Sequence, residues 1–147
     1  MSDKFFMKIA IEQALLAAEK NEIPIGAVLV NEDGFIISKN HNLVNSLNDP
    51  TAHAEILAIR TASKILGLRL TDLTMYVTME PCPMCAGALV LAKIRRLVYA
   101  VPSPYGAAES LFNVTCNKNL NHQIKITAGC LEDEAKFILK KFFLNKR

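Results

Sequence analysis

The chain has 147 residues, of which 51% are hydrophobic and 21% are charged, so it is long enough to bury a core of its own. The apolar fraction excludes a disordered tail, and 6 glycines with 6 prolines are too few for a collagen-like or low-complexity chain. With 17 Lys and Arg against 14 Asp and Glu, the net charge is +3, which is only a weak indication of a polyanionic partner. We expect one domain over residues 1–147.

The first twenty residues predict a helix rather than a targeting segment. Apolar side chains recur at helical spacing over residues 3–20, and Lys8, Glu12 and Gln13 interrupt them too often for a signal peptide or a membrane span. We therefore expect a cytoplasmic protein, whose thiols stay reduced. Metal ligands or free thiols, rather than disulfides, are then expected for the four cysteines, Cys82, Cys85, Cys116 and Cys130.

The rest of the chain alternates between strand-like and helix-like patterns. Two apolar runs, IGAVLV and FIISKN, flank the turn residues Asp33-Gly34 and predict a β-hairpin. The later segments predict, in order, a helix over 52–65 with capping chemistry at Asp49-Pro50-Thr51, a strand over 73–79, a helix over 83–93, a strand over 96–101, an edge strand over 124–126 and a helix over 131–144. This alternation favours a mainly parallel arrangement, and we expect a three-layer α/β/α fold around a mixed sheet of about five strands.

Three ligand-type side chains lie at the predicted beginnings of two helices. His53 begins one of them, and Cys82 and Cys85 begin the other, where Pro83 fits the first helical position. Two thiolates and one imidazole suit Zn²⁺ and leave a fourth position open for water, which is typical of a catalytic zinc rather than a structural one. The helix dipoles at both positions favour the deprotonated thiols that the metal requires.

Glu55 is the candidate proton shuttle. It follows His53 by two residues in the first helical turn, where both side chains can face one target beyond the end of the helix axis. A carboxylate in this position can take a proton from water and pass it to a leaving nitrogen, as hydrolytic deamination requires. Cys-x-x-Cys alone is often a structural zinc knuckle or a redox pair, but with an upstream His-Ala-Glu it forms the signature of the zinc nucleobase deaminases.

Over nearly its whole length the chain resembles the bacterial tRNA-specific adenosine deaminases, a group within the cytidine-deaminase-like superfamily. The resemblance is carried by EIPIGAVLV at 22–30, NDPTAHAEILAIR at 48–60, MYVTMEPCPMCAGAL at 75–89, GAAESLFNV at 106–114 and the closing KKFFLNKR. It implies a cytidine-deaminase-like fold and hydrolytic conversion of adenosine to inosine at the wobble position of a tRNA anticodon. It also implies a homodimer with one zinc ion per subunit, in which the anticodon arm of the tRNA is the bound partner.

The resemblance assigns roles to individual positions. Glu55 matches the proton shuttle, and Asn42 matches an asparagine that contacts the target nucleotide. The zinc ligands are matched by His53, Cys82 and Cys85, and the walls of the base pocket are matched by the backbone at Gly26, Ala27, Met79 and Glu80.

One loop departs from the pattern of this group. Residues 100–106 read AVPSPYG and lack the Asp-x-Lys that usually precedes the Gly-Ala, while Glu109 stands where a glycine is common. The lost cation and the added anion bear on affinity for, and choice of, the RNA.

Two alternatives share the zinc motif. One is a deaminase of a free nucleobase or nucleoside such as guanine or cytosine; the other is a non-catalytic zinc-stabilised binding module, in which Glu55 and an open ligand position would serve no purpose.

Overall fold

The computed structural model describes residues 1–146, so Arg147, the last residue of the closing KKFFLNKR segment, lies outside the described residues. Within residues 1–146 the elements are α1 (Asp3–Glu19), β1 (Gly26–Val30), β2 (Ile36–His41), α2 (Ala54–Leu66), β3 (Thr74–Met79), α3 (Pro83–Leu91), β4 (Arg96–Val101), β5 (Lys125–Ala128) and α4 (Glu132–Leu144). No helix in this described part of the chain is long and apolar enough to cross a membrane.

The five strands form one mixed sheet in the order β2-β1-β3-β4-β5. β1 pairs antiparallel with both β2 and β3, whereas β3 with β4 and β4 with β5 pair in parallel. The predicted three-layer fold around a five-stranded mixed sheet is thus confirmed, and four of the five strands run in the same direction, with β1 as the exception. The crossover through α2 brings β3 back in the direction of β2. Since β1 is antiparallel to β2, its hairpin partner, it is antiparallel to β3 as well.

Different helices cover the two faces of the sheet. Along β1, Ala27 and Leu29 belong to the core beneath α2 and α3, while Val28 and Val30 belong to the core beneath α1 and α4. All five residues of β1 are therefore buried, which is what a strand covered on both faces requires. The N-termini of α2 and α3, which cover the same face of the sheet, carry the candidate metal ligands.

The predicted capping of the helix at 52–65 is wrong. α2 begins at Ala54, and its N-cap is His53, whose side chain makes no capping hydrogen bond. Asp49 instead closes the preceding turn, because its Oδ1 accepts hydrogen bonds from the Thr51 amide at 2.8 Å and the Thr51 hydroxyl at 2.7 Å. The local side-chain bond to residue i+2 takes the oxygen that the sequence pattern assigned to the helix.

Candidate active site

The N-termini of α2 and α3 bring the three ligand-type side chains together. His53 and Cys82 are the N-cap residues, with extended backbone at φ −72° and −70°, and neither side chain bonds to the amides of its own helix. Cys85 lies in the first turn of α3, which Pro83 begins. The imidazole and both sulfurs therefore meet where the positive ends of two helix dipoles converge.

The distances within this cluster fit a zinc ion. His53 Nδ1 lies 3.4 Å from Cys85 Sγ and 3.6 Å from Cys82 Sγ, and all three ligand atoms lie within 4.8 Å of one another. Tetrahedral zinc with Zn–S of about 2.3 Å and Zn–N of about 2.1 Å holds such atoms about 3.5–3.8 Å apart. Two sulfurs and one imidazole nitrogen are also the donor types that zinc prefers.

The protons of the cluster are unevenly shared. A hydrogen bond from the Cys85 thiol lowers the pKa of Cys82 to about 4, whereas the hydrogen bond to Cys82, together with burial, raises the pKa of Cys85. The hydrogen bond to Cys82 also raises the pKa of His53. Zinc is bound by thiolates, so metal binding releases any proton that remains on either cysteine.

Glu55 lies in the first turn of α2 and is only 4% exposed. Burial raises the pKa of this carboxyl group to about 7, and it is close enough to His53 and Cys82 for their charges to contribute to the shift. A group whose pKa is near neutral pH both accepts and releases a proton readily. The structure therefore brings the candidate proton shuttle to the ligand cluster.

A pocket of about 310 Å³ opens beside His53. Its walls come from the connection between α1 and β1, from the segment after β2 and from the beginning of α2. Asn42 lines it and is buried, with the side-chain oxygen accepting from the Val44 amide at 3.3 Å and the amide nitrogen donating to the Ile23 carbonyl at 3.5 Å. The structure thus places Asn42 and His53 around the same cavity.

Gly26 and Ala27 lie behind this pocket, at the beginning of β1. Ala27 is fully buried in the core cluster that contains Ala54. Gly26 faces α1, where a Cβ would overlap the Ala10 carbonyl oxygen, and its own amide donates to Thr78 Oγ1 at 3.1 Å. Ile25, the residue just before them, lines the pocket directly.

Met79 and Glu80 follow one another at the end of β3 but have different surroundings. Met79 packs against the core beneath α1 and α4. Glu80 is 4% exposed, and its carboxylate accepts hydrogen bonds from the loop after β4: from the amides of Ser103, Ala108, Glu109 and Ser110 at 2.8–3.1 Å and from the Ser110 hydroxyl.

The Glu80 carboxylate ties this loop to the metal motif. The Ala107 amide donates to the Pro81 carbonyl at 2.8 Å, one residue before Cys82. Gly106 is required at the contact, because a Cβ there would overlap the Glu80 carboxyl group. Burial raises the pKa of Glu80, and the hydrogen bonds more than offset that effect, so its pKa lies below the usual 4.5. In the structure the Glu80 side chain is a loop anchor.

Sequence patterns missed one residue of the site, Glu22. It lies in the connection between α1 and β1, is fully buried and lines the pocket beside His53. Its only signal in the sequence is a carboxylate at the beginning of the apolar run EIPIGAVLV. Nothing in that local pattern indicates the distant loop that the carboxylate contacts.

Comparisons with known proteins agree with this geometry. Residues 1–101 match the model of the cytidine and deoxycytidylate deaminase zinc-binding region. The chain belongs to this family. Zinc is accordingly the cofactor of this deaminase, and His53, Cys82 and Cys85 are positioned for it.

Three similar proteins align with most or all of this chain. A tRNA-specific adenosine deaminase of Aquifex aeolicus (strain VF5) is 44% identical over 149 residues, which cover 100% of this chain and 97% of the relative. A solved structure from studies of A-to-I editing by tRNA:A34 deaminases at the wobble position is 44% identical, with a TM-score of 0.87, and covers 92% of this chain and 99% of its own. The guanine deaminase of Bacillus subtilis is 42% identical with a TM-score of 0.67, over 77% of this chain and 72% of its own.

Proposed function

We propose that this deaminase converts adenosine to inosine by hydrolysis at the wobble position of a tRNA anticodon. The observation that carries the reaction type is the buried Glu55 beside the cluster of His53, Cys82 and Cys85. The choice of adenosine in tRNA is supported by the full-length likeness to a tRNA-specific adenosine deaminase and by the fold it shares with tRNA:A34 deaminases.

In the proposed mechanism, each residue of the site has a distinct task. His53, Cys82 and Cys85 hold the zinc ion, which when bound acts as a Lewis acid and lowers the pKa of a water molecule. The Glu55 carboxylate takes a proton from the attacking water and delivers a proton to the leaving nitrogen. Water adds at C6 of the adenine and ammonia leaves, which requires the base to be out of its stack.

Asn42 orients the nucleotide from the wall of the pocket beside His53. Its side chain is held by Val44 and Ile23, so it is fixed before the substrate arrives and little entropy is lost on binding. We assign the remaining contacts to the base to the backbone near Gly26, Ala27, Met79 and Glu80. The exposed Tyr105, in the loop that Glu80 anchors, is available to stack on an RNA base.

We further propose a cytoplasmic homodimer that binds the anticodon arm, with one zinc ion in each subunit. Support for the dimer comes from large apolar side chains that stay exposed along and just beyond α2 and α3: Ile65, Leu66, Leu68, Met84 and Leu91. Exposed apolar side chains that form one contiguous patch are typical of a surface that binds protein. Sedimentation equilibrium at micromolar concentration tests this point, and a monomer would exclude the dimer.

The second candidate is a deaminase of free guanine or a related base. The observation in its favour is the 42% identity to the guanine deaminase of Bacillus subtilis, together with the loop at 101–105, which lacks the charges usual in the tRNA-specific group. The full-length likeness and the higher TM-score of 0.87 support the tRNA substrate over this candidate.

A direct assay separates the two candidates. The enzyme is incubated with an arginine tRNA whose anticodon begins with adenosine, the RNA is digested, and inosine is measured by mass spectrometry. Free guanine, cytosine and adenosine are tested in parallel for release of ammonia. Inosine in the tRNA is the expected result, whereas unchanged tRNA with ammonia released from a free base would establish the second candidate.

The role of Glu55 has its own test. We expect Glu55→Ala to bind zinc and to keep its far-UV circular dichroism, while turnover falls by at least about 10²-fold because the proton shuttle is lost. Glu12→Ala is the matched control, since Glu12 is an exposed carboxylate on α1, and it should retain full activity. Wild-type turnover in Glu55→Ala with normal zinc content would refute the assignment.

A further inference from the structure

Glu22 is a fully buried carboxylate with no part in the proposed chemistry. It lies three residues after the end of α1 and four before β1. Its Oε1 accepts a hydrogen bond from the Asn45 amide at 3.0 Å, and its Oε2 accepts from the amide and the hydroxyl of Ser46, both at 2.6 Å. A buried charge is retained only where such bonds compensate for its desolvation.

The segment that Glu22 holds is a wall of the pocket. Residues 42–46 follow β2, and Asn42 and Asn45 both line the cavity beside His53. The residues next to Glu22 bind the same segment: the Ile25 carbonyl accepts from the Asn42 amide at 3.1 Å, and the Ile23 carbonyl accepts from the Asn42 side chain at 3.5 Å. The connection between α1 and β1 thus supports the wall at residues 42, 45 and 46.

We propose that Glu22 is a positioning residue, which fixes the wall at residues 42–46 and so determines how tightly the pocket binds the target nucleotide. It acts through Asn42 and does not take part in proton transfer. This inference rests on the proposed function, because it assumes that the cavity beside His53 receives the reacting nucleotide.

A carboxylate is required at this position because both of its oxygens accept. Glutamine has the same shape but only one acceptor, so its NH₂ group would oppose either the Asn45 amide or the Ser46 amide and leave a donor without a partner. The wall would then shift or fluctuate, while Glu55 and the metal cluster, which lie on α2 and α3, would keep their places.

The main experiment compares kcat and KM of wild type and Glu22→Gln on a short anticodon stem-loop RNA that carries adenosine at the first anticodon position. We expect KM to rise about tenfold, which is the size of effect that one unsatisfied buried donor produces. We expect kcat to stay within about twofold of wild type and the zinc content to be unchanged. Glu19→Gln is the matched control, since Glu19 is an exposed carboxylate at the end of α1. A merely structural role would lower kcat through loss of folded enzyme and leave KM unchanged.

Two further measurements keep the inference testable if Glu22→Gln folds poorly. Ser46→Ala removes only the hydroxyl bond to Glu22 at an exposed residue, and it should raise KM about threefold. In an Asn42→Ala background, Glu22→Gln should add little to KM, because two residues that act through one contact are not additive. Unchanged KM in both single variants, or full additivity, would overturn the inference.

The failure of this inference differs from the failure of the proposed function. If wild type forms no inosine in RNA, the proposed function fails, and KM is then measured on whichever free base releases ammonia. Amide hydrogen exchange at Asn45 and Ser46 tests the anchor without any substrate, and we expect it to accelerate in Glu22→Gln. Unchanged protection of both amides would overturn the positioning role whatever the substrate.

Discussion

Replacing Glu80 by glutamine tests how the loop after β4 is held beside the site. The Oε2 of Glu80 accepts from the amides of Ala108, Glu109 and Ser110, and the Oε1 accepts from the Ser103 amide and the Ser110 hydroxyl. Glutamine can satisfy the three amides with its single oxygen. Its buried NH₂ group then faces the half-buried Ser103 amide, so that two donors oppose each other without an acceptor.

The cost follows from these bonds. One unsatisfied buried donor costs about 1–3 kcal/mol, and the bonds that remain lose the extra strength of a charged acceptor, so the free energy of unfolding should fall by about 3 kcal/mol. For a chain of this length, each kcal/mol corresponds to about 3 °C in Tm. We therefore expect Glu80→Gln to lower Tm by about 10 °C.

Calorimetry at several pH values is the assay. The pKa of Glu80 lies below its usual 4.5 in the folded protein, so the stability it contributes is complete above that pH and is lost as pH falls through the folded-state pKa. The difference in Tm between wild type and Glu80→Gln should be largest at neutral pH and should shrink in acid. Glu12→Gln, an exposed carboxylate, is the control. A difference below 2 °C at pH 7 (about 0.7 kcal/mol by the same conversion), or one that grows in acid, would refute the reasoning.

Three more outcomes are expected. Gly26→Ala should destabilise the fold by about 1–3 kcal/mol, measured from the urea midpoint, because its Cβ would overlap the Ala10 carbonyl oxygen; an unchanged midpoint would mean that α1 moves away freely. Asp3 and Arg96 form an ion pair, and the hydrogen bond from Arg96 lowers the pKa of Asp3 below its usual 3.8. Asp3→Asn should therefore cost about 1 kcal/mol at pH 7 and progressively less below pH 3.8; an equal cost at all pH values would contradict this ion pair. Chelation of zinc should abolish deamination and added Zn²⁺ should restore it, and activity in metal-free enzyme would exclude the proposed chemistry.

The metal site was largely predictable because its information is local. Pro83 at the first helical position places Cys82 at the N-cap and Cys85 in the first turn, as short-range helix preferences predict. The sequence also placed His53 near the beginning of α2, but its N-cap position was not predicted. The position of Glu55 in the first turn of α2 follows from the same pattern. The capping role predicted for Asp49 failed because its oxygen bonds to Thr51 instead, and sequence spacing does not decide between two nearby donors.

By itself, the sequence determined the order and type of the elements, the family and the donor set, since hydrophobic periodicity and motif spacing act over a few residues. Only the tertiary structure decided that β1 lies between β2 and β3 and that two buried carboxylates each hold a distant loop. Glu22 reaches residues 45 and 46, and Glu80 reaches residues 103–110. Such bonds depend on where the sheet brings separate segments together, because a buried carboxylate must find its donors in space rather than along the chain.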